Sequence, residues 1–142
     1  MRRSSRSSKA PLEVRLLLDT HVVLIAMAQP KRLRPAARLA LSDPAHEIYV
    51  SAASVWEIVI KHALGKLRIS GNPATAVPAW LTALGLRDLP VSRAHALAVA
   101  QLPAIHHDPF DRIMIAQALV EGLTFATRDA VARKYPVATF PA

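Results

Sequence analysis

Apolar residues arrive along this chain in short runs, each broken by an acid, a proline or a glycine. The segment from Val14 to Asp19 is nearly continuous apolar sequence and predicts a short buried strand. Thr20 to Ala28 continues as a helix stopped at Gln29-Pro30, and Pro35 to Leu41 predicts a second helix with proline in its first turn. After a turn at Asp43-Pro44, Glu47 to Ser51 reads as a strand. Ala53 to Leu64 reads as a helix whose Val55, Ile58, Val59 and Ala63 share one face, with Gly65 at its C-cap. Lys66 to Val77 shows no regular period. A helix from Pro78 to Leu84 closes at Gly85, Leu86 to Val91 reads as a short strand, and Ser92 caps a helix to about Leu102. The helix Pro109 to Glu121, closed by Gly122, leads into a strand Leu123 to Thr127, a short helix Ala130 to Lys134 and an edge strand Val137 to Phe140. Strands alternating with helices in this way predict an α/β fold with a central parallel sheet.

At 142 residues the chain is expected to form one domain with a substantial core. Hydrophobic residues make up 52%, yet no uninterrupted run reaches the ~18 residues of a membrane span, so no membrane association is expected. With no cysteine, disulfides and thiolate metal sites are excluded, and a metal would be held by oxygen or imidazole; this fits a reducing, cytoplasmic setting. Residues 1–9 hold Arg2, Arg3, Arg6 and Lys9 and no acid, which is half of the net charge of +8. Residues 1–12 are expected to be a basic disordered tail rather than a secretory signal, since no apolar segment follows the charges, and residues 13–142 a single domain. The remainder holds 14 basic against 10 acidic residues, a balance that suits a protein acting on polyanions.

Against that positive background, acids recur at one kind of place. Asp19 ends the run Leu16-Leu17-Leu18, Glu57 follows the strand ending at Ser51, Asp111 opens the run Ile113 to Ala116, and Asp129 follows the strand ending at Thr127. Ligands of open parallel sheets bind beyond the carboxyl ends of the strands, and carboxylates gathered there repel one another unless a cation lies between them. Each acid also has a purely local reading. Asp19 is a preferred N-cap. Ser54-Val55-Trp56-Glu57 matches a capping box. Asp108-Pro109-Phe110-Asp111 is a favourable helix start in which Asp108 takes the cap or a supporting role and Asp111, in register with Ile115 and Ala118, faces inward. Asp129 is suited to cap the short helix after it.

Other chemistries find less support. His106-His107 sit on a loop and read as solvent-facing or substrate-contacting, and His21 as a neighbour of the site that touches phosphate. No phosphate-binding glycine loop, dinucleotide fingerprint or nucleophile elbow is present, and the chain has only four glycines. Trp56 and Trp80 fall at helix positions and read as core. An aspartyl-phosphate phosphatase would place a second aspartate two positions after Asp19, where this chain has His21.

The segments Leu17-Leu18-Asp19-Thr20-His21, Ser51 to Ile58, Asp108-Pro109-Phe110-Asp111-Arg112 and Gly122 to Asp129 together resemble PIN-domain proteins, most of all the VapC-type toxins of bacterial toxin–antitoxin pairs. The resemblance runs from about residue 14 to the end. It implies a three-layer α/β/α fold with a central parallel sheet, and a metal-dependent ribonuclease using Mg²⁺ or Mn²⁺. By carry-over Asp19, Glu57 and Asp111 match the strongest acidic positions, Asp129 the more variable fourth, and Thr20 a hydroxyl position beside the first aspartate. The resemblance further implies a homodimer, an RNA substrate and a cognate antitoxin, with Arg112 and Arg128 as candidate contacts to phosphate or to an antitoxin carboxylate. Ile25-Ala26 stand where many relatives carry tryptophan, and the basic extension lies outside the pattern. The rival expectation is a catalytically silent PIN-like module that acts by binding antitoxin and operator DNA.

Overall fold

The computed structural model describes residues 14–105 and 108–142. Its centre is a sheet of β1 (Arg15–Leu18), β2 (Glu47–Ser51), β3 (Arg87–Leu89), β4 (Thr124–Thr127) and β5 (Thr139–Pro141), in the order β3-β2-β1-β4-β5. Every neighbouring pair is parallel. Parallel sheets need both faces covered, and the leucines of β1 meet that need on alternate sides. Leu16 and Leu18 pack with Val22, Val23 and Ile25 of α1 (Thr20–Ala28) and Ala37 and Ala40 of α2 (Pro35–Ser42). Leu17 faces the other way, into Met114, Ile115 and Ala118 of α6 (Pro109–Glu121) and Phe125 of β4. The result is the expected three-layer α/β/α arrangement. Of the remaining helices, α4 (Pro73–Leu84) adds Leu81 and Leu84 to the α1 side, α5 (Arg93–Ala98) packs on α6, and α3 (Ala52–Ala63) touches α1, α4 and α6.

Most element boundaries follow the local signals. Gly122 adopts φ +67°, the left-handed conformation that ends α6, and the chain then turns directly into the strand. Other expectations need correction. Helix α4 begins at Pro73 rather than Pro78, because Asn72 accepts from the Ala74 N–H and caps the helix one and a half turns earlier. Pro78 therefore lies inside the helix, where it forfeits a backbone hydrogen bond. Trp56 is 63% exposed rather than core, its ring set edge-on to Phe110. The inward face of α3 is Ala53, Ser54, Glu57 and Ile58, with Val59 on the exposed side, so two polar residues take places that an apolar stripe would assign otherwise.

The helix read as continuous from Ser92 to Leu102 is α5 followed by a 3-10 turn, Val99–Gln101. Among the described residues no helix is long and apolar enough to cross a membrane. The basic segment 1–12 and His106-His107 lie outside the described residues.

Leu17 is fully buried between the sheet and α6, so Leu17→Ala is expected to lower the unfolding free energy by about 2–5 kcal/mol. Urea titration followed by circular dichroism checks this. A cost below ~1 kcal/mol would mean that the layer packs more loosely than described.

Candidate active site

The strand order reverses direction between β1 and β4, and the crevice at that switch point opens beyond their carboxyl ends. Asp19 stands at its base. Its backbone N–H donates to the Ala126 carbonyl at 3.0 Å, extending the β1–β4 pairing past the last residue of the strand. Its carboxylate caps α1 through Oδ1, which accepts from the Val22 N–H at 3.0 Å, while Oδ2 accepts from the Thr127 hydroxyl at 2.6 Å. The Thr127 oxygen in turn accepts from the Asp129 N–H at 3.0 Å, so one side chain ties the first acidic loop to the last. Asp129 caps the 3-10 turn Ala130–Lys134 through Val131 N–H, and Asp108 caps α6 through Phe110 N–H. These three acids are caps as expected, and all three also line one cavity.

Glu57 is different. The N-cap of α3 is Ser51, whose hydroxyl accepts from the Ala53 N–H, so Ser54-x-x-Glu57 is no capping box. Glu57 instead lies in the second turn, 4% exposed, and points at α1. Thr20 Oγ1 lies 2.6 Å from Glu57 Oε1 and 2.9 Å from Ser54 Oγ. Its single proton goes to the carboxylate, the stronger acceptor. Lys61, one turn further along α3, donates to Glu57 Oε2 at 2.6 Å.

All five acids, Asp19, Glu57, Asp108, Asp111 and Asp129, line one cavity of about 510 Å³, whose wall also includes Thr20, His21, Lys61 and Arg128. Arg112 does not reach it. Its guanidinium donates to the carbonyls of Pro103 and Val99, tying α6 to the preceding loop, and it borders an apolar groove beside Trp56. Its charge is thus spent on backbone carbonyls at the end of α5 and in the following loop, away from the acids of the cavity. Arg128 keeps its place at the rim while donating to the carbonyls of Arg32 and Ala142. Two contributors escaped the sequence reading. Lys61 was detectable from its i,i+4 spacing to Glu57. Thr127 had no local signal, since its partner Asp19 is 108 residues away.

Burial raises the Asp19 pKa above the ordinary aspartate value, opposed by the hydrogen bonds from Thr127 and Val22. The Lys61 pKa is raised first by its hydrogen bond to Glu57, and further by the charges of Glu57, Asp108 and Asp111. The Lys61 ammonium is thus paired directly with an acid of this cavity, whose wall also carries Arg32 and Arg128.

Among the described residues no group of three or more His, Cys, Asp or Glu side chains is arranged to hold a metal ion as it stands. The donor chemistry nevertheless fits Mg²⁺ or Mn²⁺. Every acid at the cavity offers hard oxygen, and the buried Glu57 carboxylate has drawn a positive charge to 2.6 Å.

The family model described as PIN domain matches residues 16–138. The chain belongs to the PIN-domain family. A curated relative, ribonuclease VapC22 of Mycobacterium tuberculosis, is 30% identical over 123 residues, spanning 84% of this chain and 91% of the relative. Among solved structures, FitAcB from Neisseria gonorrhoeae is 28% identical with a TM-score of 0.54, covering 88% of this chain and 96% of that one. VapBC2 from Rickettsia felis, bound to a DNA fragment from its promoter, has a TM-score of 0.69 at 13% identity, covering 91% and 99%, a likeness of fold.

A carboxylate whose pKa rises on folding favours the folded state only at low pH, and that contribution is lost as pH rises through the folded value. At neutral pH the charge on Asp19 therefore costs stability. Asp19→Asn retains a competent N-cap and is expected to gain about 0.5–2 kcal/mol at pH 7, as active-site replacements of this kind do. The gain should shrink as pH falls through the carboxylate range. Thermal melts of both proteins in EDTA across that range test it, and a pH-independent difference would exclude Asp19 ionisation as the cause.

Proposed function

We propose that this protein is a VapC-type, metal-dependent endoribonuclease, the toxin of a toxin–antitoxin pair, which hydrolyses RNA phosphodiester bonds. The observation that carries the reading is the convergence of five acids on one cavity at the switch point of a PIN-domain sheet. Residues 13–142 are read as the catalytic domain and residues 1–12 as a basic tail that adds to RNA attraction.

In this reading Asp19, Glu57 and Asp111 hold Mg²⁺ or Mn²⁺ directly or through water, and Asp129 completes the set. The bound ion supplies Lewis acidity toward water and toward the phosphate oxygens. Thr20 orients Glu57 through the 2.6 Å hydrogen bond, and Asp108 fixes the start of α6 so that Asp111 faces the cavity. Asp19 is held in one rotamer by two hydrogen bonds, which leaves little reorganisation at the moment of binding. His21 is exposed on the wall and Arg128 lies at the rim, both placed to meet RNA phosphates.

Partners follow from the same likeness. A solved structure of similar fold, from Klebsiella pneumoniae, is a toxin–antitoxin complex by name, and a cognate antitoxin that covers the acidic groove, with a homodimer of this chain, is the expected assembly. The setting is read as cytoplasmic, where RNA is present and a cysteine-free chain loses nothing to reduction.

The test is cleavage of labelled tRNA and rRNA pools by purified chain with Mg²⁺, Mn²⁺ or EDTA. Discrete products that need metal and disappear in Asp19→Asn are expected. Thr20→Val, which removes the group orienting Glu57, is expected to lower the rate about 10–100-fold. Well-folded, antitoxin-free protein that cleaves nothing would instead favour a silent module acting through antitoxin and operator DNA.

A further inference from the structure

We propose that Lys61 is a built-in counter-ion of the acidic cavity, which a divalent metal must displace from Glu57, and that it thereby sets the metal affinity of the site. The inference rests on the metal-dependent reading above. Glu57 is almost fully buried, and both its oxygens are engaged, one by the Thr20 hydroxyl and the other by the Lys61 ammonium, each at 2.6 Å. A buried carboxylate without a partner is strongly destabilising, so something positive has to stand beside Glu57 before metal arrives. Lys61 is suited to a temporary post. Its side chain is 45% exposed, so it can swing into solvent without losing a packed position. It is a compact charge on a flexible stem rather than a planar fork that would clamp the carboxylate.

The same ammonium feels Asp108 and Asp111 as well as Glu57. Asp19 and Asp129 share the cavity wall, as do the positive Arg32 and Arg128, neither of which is bonded to Glu57. Lys61 is thus a cation for the group of acids and not only for its helical neighbour. A metal ion held by Glu57 would take the place of a positive charge that is already there. The net gain on binding is smaller than for an uncompensated acidic cavity, and the metal-free chain remains folded.

A residue that merely orients Glu57 for the ion makes the opposite prediction, because its loss weakens metal binding. Titration calorimetry with Mn²⁺ at fixed ionic strength distinguishes the two. Lys61→Met, which keeps the aliphatic stem, is expected to bind Mn²⁺ about three- to tenfold more tightly than the native chain. In EDTA it is expected to melt below the native protein, with a larger rise on adding Mn²⁺. Lys61→Arg retains the charge and is expected to bind no more tightly than the native chain. Equal or weaker binding by Lys61→Met, or tighter binding by Lys61→Arg, overturns the proposal while leaving the metal site intact. If the native chain binds Mn²⁺ no better than Asp19→Asn, the metal-dependent reading fails, and the role of Lys61 fails with it.

Discussion

A carboxylate enclosed at the end of a parallel strand loses hydration, and everything around Asp19 is arranged to offset that loss. Its two oxygens take hydrogen bonds from the first turn of α1 and from the end of β4, each a charge-assisted contact contributing about 1.5–3 kcal/mol. Those bonds are available only because β1 lies beside β4, at the point where the sheet reverses its winding. The sheet order, the crevice and the raised pKa of Asp19 are consequences of one placement. A shift of β1 by one residue would turn Leu17 outward from α6 and remove Asp19 from Thr127 together.

Helix capping and the negative charge of the cavity use the same side chains here. Asp19, Asp108 and Asp129 each accept a backbone N–H at a helix or 3-10 start, so the residues that end loops also bring negative charge to the cavity. Positive helix ends stabilise that charge locally. Glu57 has no such support, being in the second turn of α3, and it is the acid with a lysine bound to it. The two kinds of acid divide the electrostatic problem. Three are steadied by backbone dipoles, and the most buried one by a half-exposed lysine.

The periphery shows how local chemistry can redirect a residue. Arg112 adjoins Asp111 in sequence, but successive positions on a helix point about 100° apart, and its guanidinium finds the carbonyls of Val99 and Pro103. Trp56 adjoins Glu57 and is turned outward for the same reason, against Phe110. Neighbourhood in sequence to a site acid is therefore poor guidance on a helix, and good guidance at a strand end, where Thr20 follows Asp19 into the cavity.

What the sequence by itself determined is everything with a signal inside one or two turns. The strand–helix alternation, the caps at Asp19, Asp108, Asp129 and Ser92, and the glycine stops at Gly85 and Gly122 all read directly, since each depends on backbone geometry within a few residues. The start of α4 was legible only in part, because Pro78 resembles a helix start more than the Asn72 cap does. The tertiary structure alone decided which partners the acids have. Thr20 meets Glu57 across 37 residues and Thr127 meets Asp19 across 108. No periodicity carries such a pairing; it is fixed by which strands lie side by side, and that is settled by burying both faces of the sheet at once.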